Sequence, residues 1–293
     1  VRIRKRYSER LFDAVVVLIA IAITFCTLYP FVFVLFASVS DAGDLMSHSG
    51  LLWKPYGIHL DAYINVFKNP SIMAGFRNTV FILVVGVVVN MILTSMAAYV
   101  LSRKNVYWSR LLIFFVLITM FFNGGLIPMY LVIKGVGLSN SLWSLIIPFA
   151  VNTFNLLIMR TSFMAIPDSL EESAKIDGAN HFVIFSRIVL PLSMPVIAVM
   201  ILYYSVEKWN AWFYASVFLN SRELFPIQLI LREILISGST DSMTGGADVS
   251  QMQQVVQTIK YATIVVATLP ILVVYPFLQK YFVKGVMVGA IKG

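Results

Sequence analysis

Charge is scarce in this sequence. Asp, Glu, Lys and Arg make up 12% of its 293 residues, 59% are hydrophobic, and the mean hydropathy is +0.85. A soluble domain carries about 25% charged residues, so the composition implies an integral membrane protein. Cysteine is nearly missing too. Cys26 is the single one and lies in an apolar run, which rules out a disulfide within the chain. The three histidines, His48, His59 and His181, stand at no metal-ligand spacing. There is no G-x-x-x-x-G-K-[ST] phosphate loop, and no G-x-S-x-G, H-E-x-x-H or C-x-x-C. No catalytic residue, metal site or cofactor of its own is therefore expected. The net charge of +8 fits a cytoplasmic excess of Lys and Arg better than a nucleic-acid partner.

What is present is a series of long apolar runs. They predict an all-α integral membrane fold with six transmembrane helices, at about 14–37, 76–101, 110–133, 141–163, 192–219 and 259–282. Each exceeds or approaches the ~20 residues that span a bilayer. The first run is too long for a signal peptide and ends in Tyr29, Pro30 and Phe33, so it reads as a retained span. Outer loops are expected over 38–75 and 220–258, and a polar segment over 164–191. With six spans both termini share a side. That side carries 14 of the Lys and Arg residues and the opposite side 7, mostly in long loops. The positive-inside rule therefore places the termini and segment 164–191 in the cytoplasm.

The segment from Pro167 to Pro191 is the longest polar interruption on that side. Asp168 after Pro167 reads as a helix start, with Glu171 three residues on as the far half of a capping box. Glu171, Ala174 and Gly178 then share one helical face, where two small residues would let a partner come close. From patterning alone, an ordinary loop helix lying on the membrane fits equally well. Within the segment stand Glu172-Ser173-Ala174, three residues, Gly178, nine residues, and Ile188-Val189-Leu190-Pro191.

This spacing resembles the EAA motif of ABC-importer permeases, with Ser173 where that family prefers Ala. The chain is similar to the maltose-importer type over most of its length. Further stretches resemble the subgroup serving oligosaccharides and polysaccharides, alginate importers among them: residues 122–130, 154–163, 209–213, 281–289 and above all F-P-I-Q-L-I-L-R-E-I-L-I at 225–236. The resemblance implies a permease in the bacterial inner membrane that moves a carbohydrate. Its implied partners are a second permease, two ATPase subunits that hold ATP and Mg, and an extracytoplasmic binding protein. It also makes 164–191 the coupling segment between spans four and five. Glu171, Glu172, Ser173, Ala174, Asp177, Gly178, Ile188, Leu190 and Pro191 are the implied ATPase-coupling residues, and the tail 283–293 is expected to touch the ATPase as well.

Span five carries Tyr203, Glu207, Asn210 and Tyr214 at i, i+4, i+7 and i+11, on one face. A charge in the hydrocarbon core costs about 2.5–3.5 kcal/mol on insertion scales, so Glu207 should face a cavity or a partner. Aromatic faces with polar groups between them suit a sugar. Asn152 and Asn155 in span four and Asn123 in the Asn-Gly-Gly interruption are further path candidates. Interhelical hydrogen bonding by the Asn residues and a kink repaired by neighbouring helices are the competing readings. An ion-coupled carrier using Glu207 and Lys208 is the rival function.

Overall fold

The computed structural model describes residues 7–47, 50–237 and 256–273, which are helical with no strand. In chain order the helices are α1 (Tyr7–Val39), α2 (Ala42–Ser47), α3 (Asp61–Lys68), α4 (Pro70–Ser102), α5 (Ser109–Phe121), α6 (Leu126–Gly135), α7 (Thr153–Met164), α8 (Asp168–Ile176), α9 (His181–Leu192), α10 (Met194–Trp209), α11 (Phe213–Phe218), α12 (Ile227–Ser237) and α13 (Val256–Val273). The expected loop stretch 237–250 and the tail 283–293 fall largely or wholly outside the described residues, as does the second half of the sixth apolar run.

Among the described residues three helices, α1, α4 and α13, are long and apolar enough to cross a membrane. The count reaches five if α5 with α6, bent by 114°, and α9 with α10, bent by 83°, each act as one span. Three apolar runs that read as continuous spans are thus interrupted, and each break has a local cause. At 110–133 the helix stops at Phe121, Gly125 takes φ +89, and the Asn123 Oδ1 accepts the Gly125 N–H at 2.9 Å. At 141–163, Leu142–Leu145 form a 3-10 turn and regular helix resumes at Thr153, leaving α7 only 12 residues. At ~1.5 Å per residue α7 falls well short of the ~30 Å hydrocarbon core. At 192–219 the chain bends at Ser193, between Pro191 and Pro195, and leaves the helix again at Asn210–Trp212.

The chain divides into two compact units, residues 1–69 with 233–269 and residues 70–232 with 270–293. In the first, the C-terminal part of α1 packs Ala37 against Leu45 and Leu52, with Phe33, Phe36, Tyr56 and Tyr261 around them. The backbone between α2 and α3 is tied back to α1: the Tyr29 hydroxyl accepts the Leu52 N–H at 2.8 Å and the Ser40 Oγ accepts the Tyr56 N–H at 3.0 Å. Among the described residues most of α1 is unburied.

The second unit is built around α4. Its buried face carries Gly75, Thr79, Ile82, Gly86, Asn90, Thr94 and Ala98, three or four residues apart, with Asn78 beside Thr79, while Val80, Val84, Val88 and Ile92 stay exposed. This inverts the pattern of a soluble helix. In lipid the apolar side chains have no reason to hide, and small or hydrogen-bonding residues do the packing. Two cores result. One joins α4 to α7, α9 and α10 through Ala98, Leu156, Phe163, Ile184 and Met200; the other joins it to the Leu142–Leu145 turn, α6, α11 and α12 through Ile82, Ile133, Leu145, Phe218 and Leu229.

Candidate functional site

The polar segment forms the short helix α8, with its ends set differently from the sequence expectation. Pro167, in extended conformation, is the N-cap residue and makes no side-chain cap bond; Asp168 is already the first helical residue. No capping box forms, because both of its expected members are turned to other partners. Asp168 pairs with Lys104 at 2.6 Å and Glu171 with Arg103. The C-terminus closes as a Schellman motif. The Gly178 N–H donates to the Lys175 carbonyl at 3.0 Å and the Ala179 N–H to the Ala174 carbonyl at 2.9 Å, while Gly178 holds φ +81. A Cβ on Gly178 would meet nothing within 4 Å. Glycine is thus required here by backbone conformation, and no crowding among the described residues demands it.

The two faces of α8 do different things. Glu171 is buried, and Ala174 packs against the core beneath. The face expected to receive a partner is therefore turned largely towards the chain itself. Glu172, Ser173, Asp177 and Gly178 are exposed, as is Ile176 at 87%. Beneath α8, Arg103 joins three helices. It pairs with Glu171, donates to the Phe163 carbonyl at 3.2 Å and to the Ser102 Oγ at 3.0 Å, and lies 4.9 Å over the Tyr99 ring. Burial pulls its guanidinium below the ordinary value, opposed by Tyr99 and the Asp168 carboxylate, and an arginine remains protonated regardless. Nearby, Arg160 donates from Nε to the Leu101 carbonyl at 2.9 Å.

The outer pair, Lys104 and Asp168, is solvent-exposed. Its hydrogen bond and charge lower the Asp168 pKa and raise that of Lys104. A depressed carboxylate contributes above its unfolded pKa and loses that contribution as pH falls through the folded one. A raised lysine contributes fully below its unfolded pKa and loses it as pH rises through the folded one. The pair therefore acts between about pH 4 and about pH 10, and as a surface pair it is weak.

After α8 the chain turns into α9, capped by the Asn180 Oδ1, which accepts the Val183 N–H at 2.9 Å. Its Phe185–Val189 stretch is a π-helical turn that ends just before the Leu190–Pro191 step. A proline removes one helical N–H and presses on the carbonyl four residues back. The wider turn accommodates both effects. Ile188 lies in that turn, Leu190 packs against the α4–α7 core, and Pro191 is exposed. Phe185 meets Tyr99 with ring centroids 5.1 Å apart.

The path candidates do not form one group. Tyr203, Glu207 and Asn210 lie on α10 or its end, with Glu207 and Asn210 exposed. Tyr214 lies beyond the break, its ring tilted at 43° to that of Phe149 with centroids 4.6 Å apart. Asn152 caps α7, its Oδ1 accepting the Phe154 N–H at 3.0 Å and the Asn155 N–H at 3.2 Å; Asn155 is buried. Asn123 holds the α5–α6 turn, as described above. Among the described residues no group of three or more His, Cys, Asp or Glu is placed to hold a metal.

Sequence reasoning missed the residues that hold the interrupted backbone. Irregular backbone at membrane depth needs partners. Lys208, 3% exposed, donates to the Leu145 carbonyl at 3.0 Å and lies 5.4 Å from the Phe149 ring centroid. The Asn90 Nδ2 donates to the Phe149 carbonyl at 3.0 Å, and the Tyr204 hydroxyl accepts the Asn152 N–H at 3.2 Å while sharing a 2.7 Å bond with the Thr94 Oγ1. Tyr204 and Lys208 are four residues apart, so the same periodicity that grouped Tyr203 with Glu207 also marked this second face.

Residues 71–288 match the family described as binding-protein-dependent transport system inner membrane component. The chain belongs to that family. The match begins at α4, takes in α8, and runs past α13. Relatives of this inner membrane component include the polygalacturonan/rhamnogalacturonan transport system permease protein YtcP of Bacillus subtilis (strain 168), 44% identical over 98% of this chain and 100% of the relative. Protein LplC of the same organism is 41% identical over 98% and 96%. A solved chain from a bacterial ABC transporter involved in import of the acidic polysaccharide alginate superposes with a TM-score of 0.88 at 30% identity, covering 96% of this component and 99% of that chain. A second, from an alginate transporter in complex with a pentasaccharide-bound periplasmic protein, shares the fold alone, with a TM-score of 0.56 at 16% identity.

Proposed function

We propose that this membrane component is one of two permease subunits of an ABC importer for oligosaccharides or polysaccharides, acidic ones such as alginate foremost. The observation that carries the reading is the near-complete match to a polygalacturonan/rhamnogalacturonan transport permease and to a chain of an alginate importer. On this reading the chain has six spans, made of the three long helices, the two bent pairs and the interrupted 141–163 run that holds α7, and both termini are cytoplasmic in the inner membrane. An extracytoplasmic binding protein delivers the sugar. ATP and Mg are held by two separate ATPase chains.

Helix α8 is the coupling helix. Its exposed Glu172, Ser173, Asp177 and Ile176 meet the ATPase, and its inner face passes the motion on. The buried Arg103–Glu171 pair makes α8 move with the ends of α4 and α7, and the bend before α10 carries the displacement into the path. Exposed Glu207, Asn210 and Asn123 are the path-lining candidates, while Asn152, Asn155 and Tyr214 serve packing. The ion-coupled alternative loses its support in the geometry. The Lys208 ammonium is buried on the Leu145 carbonyl, whereas Glu207 is exposed.

The test is uptake into proteoliposomes holding this chain, its partner permease and the ATPase subunits. Accumulation of an alginate pentasaccharide is expected to need ATP and loaded binding protein and to survive collapse of the ion gradient. Uptake that follows the gradient and ignores ATP would refute the reading.

A further inference from the structure

We infer that Trp212 and Arg232 form a subsite for a sugar carboxylate. The inference rests on the acidic-oligosaccharide reading and adds the residues that would select the acid. At Asn210–Trp212 the backbone leaves the helix: the Ala211 N–H reaches the Lys208 carbonyl at 3.4 Å and the Trp212 N–H reaches the Asn210 carbonyl at 2.9 Å. Asn210 and Trp212 are exposed there, Trp212 at 37%. Irregular backbone at membrane depth is tolerated where it is buried in protein or lines a water-filled cavity, and the exposed Asn210 and Trp212 side chains favour the second. Over the Trp212 ring, 4.4 Å from its centroid, lies the Arg232 guanidinium.

Arg232 is exposed and pairs with no carboxylate among the described residues. It is also held on a fixed support. The Ile227 N–H donates to the Thr79 Oγ1 at 2.9 Å, the Asn78 Nδ2 donates to the Glu223 carbonyl at 2.7 Å, and Ile227 and Ile230 are buried on α4. The approach of α12 to α4 is so close that a Cβ on Gly75 would stand 2.6 Å from the Ile230 Cδ1. Holding a binding side chain on such an element limits the ordering cost on binding.

The chemistry fits a uronate. A guanidinium lying over an indole is attracted by the ring face, and its planar fork can still bind a carboxylate bidentately. The exposed indole surface offers the apolar contact that a pyranose ring makes with an aromatic side chain. A neutral sugar would use the indole and leave the guanidinium unused, so the pair discriminates by charge.

The test is equilibrium binding of an alginate pentasaccharide and its carboxyl-reduced form to the complete transporter in nanodiscs, without binding protein. Arg232→Gln is expected to weaken the acidic ligand at least tenfold, with Arg232→Lys intermediate. Trp212→Leu is expected to weaken both ligands. Co-purification of the partner chains verifies that each variant is assembled. Unchanged acidic binding in Arg232→Gln, or no binding by the wild type, overturns the subsite while leaving import itself to the uptake assay. If Arg232→Gln instead changes retention of anionic phospholipid and leaves pentasaccharide binding unchanged, the guanidinium serves the membrane surface and the subsite is likewise refuted.

Discussion

Removing either partner of the Arg103–Glu171 pair should loosen α8 while the long apolar helices stay folded. The two side chains are 13% and 8% exposed. Deleting one member of a buried pair costs about 3–5 kcal/mol, because the other charge is stranded. The two deletions are unequal here. In Glu171→Ala, Arg103 keeps the Phe163 carbonyl, the Ser102 hydroxyl and the Tyr99 ring. The loss then approaches that of one charge-assisted hydrogen bond, about 1.5–3 kcal/mol. In Arg103→Ala, buried Glu171 loses its ion pair and the tie to α7 goes with it, so the full range of about 3–5 kcal/mol applies.

At about 1.4 kcal/mol per tenfold change, the opened population of α8 should rise by about 10- to 100-fold for Glu171→Ala and by more than about 100-fold for Arg103→Ala. Hydrogen exchange over residues 168–176 in the assembled transporter reads this directly. Replacing both residues, as Arg103→Met with Glu171→Leu, should restore much of the protection, because a well-packed apolar pair can replace a buried ion pair. If α8 transmits motion as a rigid body, sugar moved per ATP falls in the single variants and recovers in the double. Equal protection in wild type and both single variants, or the reverse order of effects, would refute the reasoning.

Two further outcomes follow from the backbone. Gly178→Ala and Gly178→Trp should both lose about 1–2 kcal/mol of α8 stability to the left-handed conformation, but Trp alone adds bulk on the outer surface; ATPase co-purification that falls in Trp and holds in Ala would locate the docking face, and equal loss in both would deny it. Lys208→Met should leave the Leu145 carbonyl unsatisfied at a cost of about 1–3 kcal/mol, read as a lower melting temperature of the purified complex; no change would mean that the carbonyl finds another donor.

The sequence by itself determined the membrane class, the positions of the apolar runs and the motif spacing from Glu172 to Pro191. These depend on composition and on distances along the chain, which folding does not change. It also marked Asn123-Gly124-Gly125 as a break, a local backbone feature, and singled out Gly178 for its small size, whereas the structure shows the left-handed backbone that requires glycine there. The tertiary structure alone decided which face of α8 is free. Asp168 and Glu171 read as a capping box because four residues in sequence suffice for one; Lys104 and Arg103, more than sixty residues away, outcompete it once α4 ends beside α8. It likewise decided that Lys208 holds the Leu145 carbonyl. Breaks in a span can be read locally, but the donors that make them tolerable come from other helices, and a linear pattern does not specify which helices meet.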